Sequence, residues 1–133
     1  MSATIEGRSE ELLKGKNFCT VATLRSDGTV QAAPVWVDTQ DGLAVLNTAE
    51  GRAWPKNLER DPHVTLTVQN MENPYEYVEI RGKVAERTRE GADEHIDAMA
   101  KKYLDQDSYP FRQPGEQRVI IRVAPDHLYI QGA

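Results

Sequence analysis

Apolar residues along this chain follow two different periods, and the places where one gives way to the other divide it into elements. Phe18 to Leu24 is rich in β-formers, Ser26-Asp27-Gly28 is a turn signal, and Thr29 to Val37 reads as a second strand, so the pair predicts a hairpin. Asp41-Gly42 marks a further turn, after which Leu43 to Asn47 reads as a third strand. His63 to Gln69 alternates as a strand, and Tyr75 to Thr88 reads as a long one with Gly82 at a bend or bulge. Arg118 to Val123 and His127 to Gln131 close the series, interrupted at Ala124-Pro125-Asp126.

The helical period appears three times. Ser9 to Lys14 predicts a short helix with Ser9 as its N-cap, placed to pack on an open barrel end. Pro55 to Arg60 predicts a second, beginning at Pro55 and stopped by Asp61-Pro62. Between Arg89 and Leu104, the residues Ala92, Ile96, Met99, Ala100 and Tyr103 recur at spacings of three and four, the stripe of an amphipathic helix. Asn70 to Pro74 and Asp105 to Gln117 read as loops, and there is no internal repeat or linker. At 133 residues the chain is long enough for one domain, spanning 1–133. The expected architecture is mainly β: a small antiparallel barrel of six or seven strands with a few inserted helices.

Charge narrows the partners. Sixteen Lys and Arg against 21 Asp and Glu give a net charge of −5, which repels a polyanion over most of the surface, so nucleic acid is not an expected partner. A small anion held by a local basic cluster stays open. No run approaches the ~20 apolar residues of a membrane span, and Met1 to Lys16 is polar, unlike a signal peptide. The expectation is a cytoplasmic protein with no membrane partner. A single cysteine, Cys19, excludes an internal disulfide and reads as a small buried hydrophobe.

The segment from Asn47 to Leu58 carries the most chemistry. Arg52 and Lys56 crowd the start of the predicted helix at Pro55, where the macrodipole is already positive, an arrangement that favours a bound anion. Backbone N–H groups at the helix start, the Arg52 fork, the Lys56 ammonium and the Thr48 hydroxyl are the donor types a phosphate or carboxylate site uses. The alternative is a solvated basic stripe, since Arg52, Lys56 and Arg60 follow at i, i+4 and i+8, with Glu59 neutralising part of it. Trp36 and Trp54 are candidates to flank a flat ring or to fill core, and Tyr75 and Tyr77 carry the same ambiguity. His63, His95 and His127 have no metal-ligand spacing, and no nucleophile or phosphate-loop motif is present, so no metal site and no catalytic side chain is assigned. An anion cradle with aromatics but no acid–base constellation suits a cofactor enzyme or a binding module.

Several runs then resemble a known family. Val21-Ala-Thr-Leu-Arg-Ser-Asp-Gly, Ala33-Pro-Val-Trp, Asn47-Thr48 with Gly51-Arg52, Asn57-Leu-Glu-Arg-Asp-Pro62 and Glu79-Ile-Arg-Gly-Lys-Val-Ala-Glu86, in this order and spacing, are similar to the pyridoxamine 5'-phosphate oxidase-like split β-barrel superfamily. Within it they resemble the F420-dependent oxidoreductase branch of actinobacteria. The resemblance implies a six-stranded Greek-key barrel, an FMN-binding split barrel that dimerises with itself and builds two cofactor sites from both subunits. It implies a flavin or deazaflavin whose phosphate end lies by Thr48, Arg52, Ala53, Trp54, Lys56 and Asn57. The ring system would lie along Pro34, Val35, Trp36 and Asn47, and Tyr77, from this subunit or its partner, would face a small-molecule substrate.

The implied function is hydride transfer between coenzyme F420 and a small conjugated acceptor. The alternatives are an FMN-dependent oxidoreductase or oxidase of the same fold, or a non-catalytic carrier of a flavin, deazaflavin or tetrapyrrole. One departure concerns the clamp: many relatives carry a lysine two residues after the arginine, where this chain has Trp54, and the basic residue stands instead at Lys56. Arg118 and Arg122 occur without the rest of the substrate-phosphate signature of the true oxidases, which disfavours pyridoxal phosphate synthesis.

Overall fold

A computed structural model describes residues 3–132. The strands are β1 (Cys19–Leu24), β2 (Val30–Val35), β3 (Asp38–Gln40), β4 (Leu43–Ala49), β5 (His63–Gln69), β6 (Tyr77–Thr88) and β7 (Arg118–Gln131). The helices are α1 (Gly7–Lys14), α2 (Ala53–Arg60) and α3 (Ala92–Leu104). All strands join one antiparallel sheet in the order β2-β1-β5-β6-β7-β4-β3. Its two edges, β2 and β3, are separated in the chain only by Trp36 and Val37. The Cα atoms of Val35 and Asp38 therefore lie no more than about 11 Å apart, so the sheet must curl until its edges meet at that corner. The result is a barrel joined at one corner and split along the rest of its seam.

Seven strands stand where the resemblance implies six, and one of the differences from the pattern lies at the same corner. The run read as one strand to Val37 leaves the sheet after Val35 because side chains of α3 take over its backbone groups. The Val37 N–H donates to Tyr103 Oη at 3.1 Å, and its carbonyl accepts from Lys102 Nζ at 2.7 Å. The chain re-enters as β3, which pairs with β4 before the Asp41-Gly42 turn. Similarly, β4 continues past Asn47 to Ala49 because Thr48 and Ala49 pair with Val119 and Arg118. The last two expected strands are one, β7, since the ladder runs through Pro125 by a register shift opposite Gly82. Gly82 permits this crossing: a Cβ there would stand 2.2 Å from the Ala124 carbonyl oxygen.

Helix starts also differ from expectation. α1 begins before Ser9, which sits at its third position and accepts the Glu6 N–H at 3.1 Å. α2 begins at Ala53 with Arg52 as N-cap, so Pro55 occupies the third helical position, still among those that need no amide partner.

Strand alternation sends Val21, Leu46, Leu66, Val78, Ile80 and Ile121 into the barrel, plugged by Leu12 and Leu13 of α1 and by Trp54 and Leu58 of α2. Cys19 is buried in the same core, where burial pushes its thiol up to about 12. α3 covers the outer face of β4 and β7, joining Val45, Ala92 and Ile120 in one cluster and Ile96, Met99 and Tyr103 in another. The outer face of β2 and β1 carries no helix over Val30, which is 60% exposed, or over Leu24. Among the described residues no helix is long and apolar enough to cross a membrane.

Candidate functional site

Where α3, the end of β2 and the start of β7 converge, the surface opens into a cleft of about 290 Å³. Pro34, Val35 and Trp36 form one wall, with Phe18 beside them; Ile96 of α3 and Tyr109 and Phe111 of the long loop form the other. Asn47, Arg52 and Arg118 line its polar end. The Trp36 indole lies nearly parallel to Tyr103, centroids 5.1 Å apart, and Tyr109 meets it edge-on at 5.9 Å. Tyr103 stacks in turn on Phe18 at 5.7 Å. Flat rings held by other rings make a rigid apolar slot, the kind of wall that accepts a planar ligand.

The loop that supplies Tyr109 is tied down. Its amide donates to Asp97 Oδ1 at 2.8 Å, and Arg112 bridges Asp93 at 3.0 Å and Asp97 at 2.9 Å. This segment reads as polar in sequence; the aromatic pair Tyr109 and Phe111 inside it was the signal that it returns to a site.

The two arginines differ in state. Arg118 is buried beside Glu116 at 2.6 Å, with side chains 2% and 5% exposed, and its Nε donates to Asn47 Oδ1 at 2.9 Å. Its guanidinium also lies over the Tyr109 ring, 5.0 Å from the centroid. Burial raises the Glu116 carboxyl, but the hydrogen bond and charge of Arg118 outweigh that and hold it below the usual range. Arg52 is exposed and has no carboxylate in salt-bridge contact among the described residues. The adjacent Glu50 is taken by Arg87 at 2.6 Å and Arg89 at 3.3 Å, and the first turn of α2 contains no acid. Arg60, the third member of the basic stripe, turns away to the Leu24 carbonyl.

The structure therefore brings Pro34, Val35, Trp36, Asn47 and Arg52 into one cleft and separates the others. Ala53 is exposed at the first position of α2, and Lys56 is exposed one turn on, outside the cleft lining. Thr48 follows Asn47 on β4 and so points to the opposite, inner face; its hydroxyl is fully buried with no hydrogen-bond partner. Trp54 does not stack on anything at the site: it is 5% exposed and fills the barrel core. Asn57 likewise faces inward, its amide donating to Thr23 Oγ1 at 3.1 Å and Gln31 Oε1 at 2.9 Å, which fastens α2 to the β1–β2 hairpin. Tyr77 lies on β6 against Tyr129, centroids 6.1 Å apart, and does not line this cleft. Sequence reasoning missed Tyr109, Phe111, Ile96 and the Arg118–Glu116 pair as parts of the site.

A seven-stranded split barrel with an aromatic slot ending in guanidinium groups defines a class, and the sequence match is to the same class. Residues 5–132 match the pyridoxamine 5'-phosphate oxidase family, and the chain belongs to it. Among solved structures it is similar to an F420 reductase, at 27% identity over 90% of this chain and 94% of that one, with a TM-score of 0.79. A conserved hypothetical protein from Mycobacterium tuberculosis shares the fold at 19% identity and a TM-score of 0.73, covering 98% of this chain and 86% of that one. So does a putative pyridoxamine 5'-phosphate oxidase from Listeria innocua, at 16% identity and a TM-score of 0.69, covering 90% and 92%. No curated protein is significantly similar in sequence.

Proposed function

We propose that the cleft binds coenzyme F420 and that the protein is a homodimeric F420-dependent oxidoreductase acting on a small conjugated acceptor. The observation that carries this reading is the un-neutralised Arg52 at the start of α2, opening onto a slot walled by Trp36 and Tyr109. An anion there satisfies the guanidinium and the helix dipole together. The similarity to an F420 reductase supports the deazaflavin over FMN as the ring.

The residues present fit such a group. Arg52 and the backbone N–H of Ala53 would hold the phosphate, and Lys56, one turn away, would add field rather than contact. Pro34, Val35 and Trp36 would border the ring and exclude water from one face, while Arg118, held by Asn47, would present a fixed donor at the polar end. Reduced F420, when bound, supplies a hydride, so the protein's task is placement and desolvation rather than acid–base chemistry.

Dimerisation would cover the bare sheet face around Leu24, Val30, Ala32 and Pro34, which adjoins the cleft through Pro34. A partner seated there would bring its own residues to the slot, and Tyr77 would act in the partner's site.

Fluorescence titration with F420, and separately with FMN, tests the reading: tight binding of F420 alone is expected. Failure of both to bind at micromolar concentration would overturn it, and preference for FMN would reassign the cofactor. If F420 binds but its reduced form is not consumed with enones, quinones or biliverdin, the protein is a carrier instead. Size-exclusion with light scattering should show a dimer that Val30→Asp dissociates.

A further inference from the structure

Asn47 is the one residue at the polar end whose amide is addressed from three sides, and the identity of its neighbours fixes which way it points. Its Nδ2 lies 2.9 Å from the Ala92 carbonyl oxygen, which can only accept. Its Oδ1 lies 2.9 Å from Arg118 Nε, which can only donate. The amide is therefore not free to flip. The same Nδ2 lies 3.0 Å from Nδ1 of His95 on α3, so that ring nitrogen must accept and cannot carry a proton. In the neutral ring the proton then sits on Nε2, which is buried without a hydrogen-bond partner and stands 3.7 Å from Asp38 Oδ2 on β3.

We propose that His95 is a positioning residue: its neutral Nε2–H form clamps the Asn47 amide, which in turn aims Arg118 at the cleft, and protonation of the ring releases that clamp. The role for ligand binding rests on the reading of the cleft as the cofactor site; the clamp itself does not. Protonation puts an Nδ1–H against the Asn47 NH₂. Turning the amide to relieve that contact sets its oxygen against the Ala92 carbonyl and its NH₂ against Arg118, so no orientation of Asn47 satisfies all three neighbours.

Charged groups stand around the ring on β3, α3 and β7. Asp38 faces Nε2 from β3. Lys102, from two turns further along α3, acts on Asp38, and Arg118 of β7 lies across Asn47 with Glu116 beside it. The His95 side chain is 15% exposed, so a proton can reach it without unfolding the helix.

Two measurements on the full chain test this. Two-bond nitrogen–proton NMR correlation of ¹⁵N-histidine-labelled protein, with His95 assigned by its loss in His95→Asn, should show the Nε2–H tautomer at about pH 8. An Nδ1–H tautomer, or an averaged mixture, overturns the clamp whether or not any cofactor binds.

The second measurement is F420 affinity by fluorescence in wild type, His95→Leu and His95→Asn. Asn places an oxygen acceptor where Nδ1 stood and does not titrate. His95→Leu should bind about tenfold more weakly at about pH 8, and His95→Asn within about twofold of wild type. Between about pH 8 and pH 5.5 wild type should lose about tenfold more affinity than His95→Asn, which carries any titration of the ligand itself as a control. Equal affinities for Leu and wild type, or parallel losses for Asn and wild type, overturn the role in binding. If no variant binds F420 the cofactor reading falls, while the tautomer still decides the clamp. If His95→Leu does not fold, the tautomer and the Asn comparison remain decisive.

Discussion

Two arginines reach the polar end of the same cleft, and the molecule treats them in opposite ways. Arg118 is buried, paired with Glu116, hydrogen-bonded to Asn47 and laid over Tyr109. Arg52 is exposed at a helix start, with no carboxylate in salt-bridge contact among the described residues and the adjacent Glu50 taken by Arg87 and Arg89. A guanidinium whose partners are all supplied by the fold contributes shape and fixed donors. One left without partners supplies binding energy only when an anion arrives, because until then its charge is screened by water. On the proposed reading the first belongs to the scaffold of the site and the second to its affinity, and substitutions should separate them.

The largest expected effect is on the scaffold side. Arg118→Met leaves Glu116 buried and uncompensated and should destabilise the fold by about 3–5 kcal/mol, read by denaturant unfolding. A loss below ~1 kcal/mol would mean the pair is not buried as described. Arg52→Ala should do the reverse: stability within ~0.5 kcal/mol of wild type, and F420 affinity reduced by about 2 kcal/mol, or roughly 30-fold. An unchanged dissociation constant would remove Arg52 from the clamp.

Core and site can be contrasted in α2 as well. Asn57→Ala strands the inward hydrogen bonds to Thr23 and Gln31 and should cost about 1–3 kcal/mol of stability. Lys56→Ala, on the exposed side of the same helix, should leave stability within ~0.5 kcal/mol and weaken binding by less than Arg52→Ala. Parity of Lys56 and Arg52 would show that field, not contact, holds the anion.

The smallest effect is a pH dependence. The folded Glu116 carboxyl lies below the ordinary glutamate range. The stability it adds is therefore full above that range and is lost as pH falls through the folded value. Acid unfolding of Glu116→Gln should lack that component, whereas Lys56→Ala should follow the wild-type acid profile.

Elements made by local pattern were legible in the chain. The β1–β2 hairpin, the alternation of β5, the long β6 with its kink at Gly82 and the stripe of α3 all follow from period and turn chemistry, which act between near neighbours. The cluster of Arg52 and Lys56 ahead of a short helix was legible for the same reason, as were Pro34, Val35, Trp36 and Asn47 through the family resemblance. Tyr103 and Lys102 illustrate what was not: they end β2 by taking the backbone of Val37, across more than sixty positions of sequence.

The sequence by itself determined a mainly-β chain of the pyridoxamine 5'-phosphate oxidase family, with a net charge of −5 and two basic residues, Arg52 and Lys56, at a short helix. Only the tertiary structure decided that Trp54 and Asn57 serve the core, that Tyr109 and Phe111 wall the cleft, and that Arg118 is neutralised while Arg52 is not. Residue type and spacing state which donors exist, but whether a donor is spent depends on which distant acceptor the fold brings within hydrogen-bond reach.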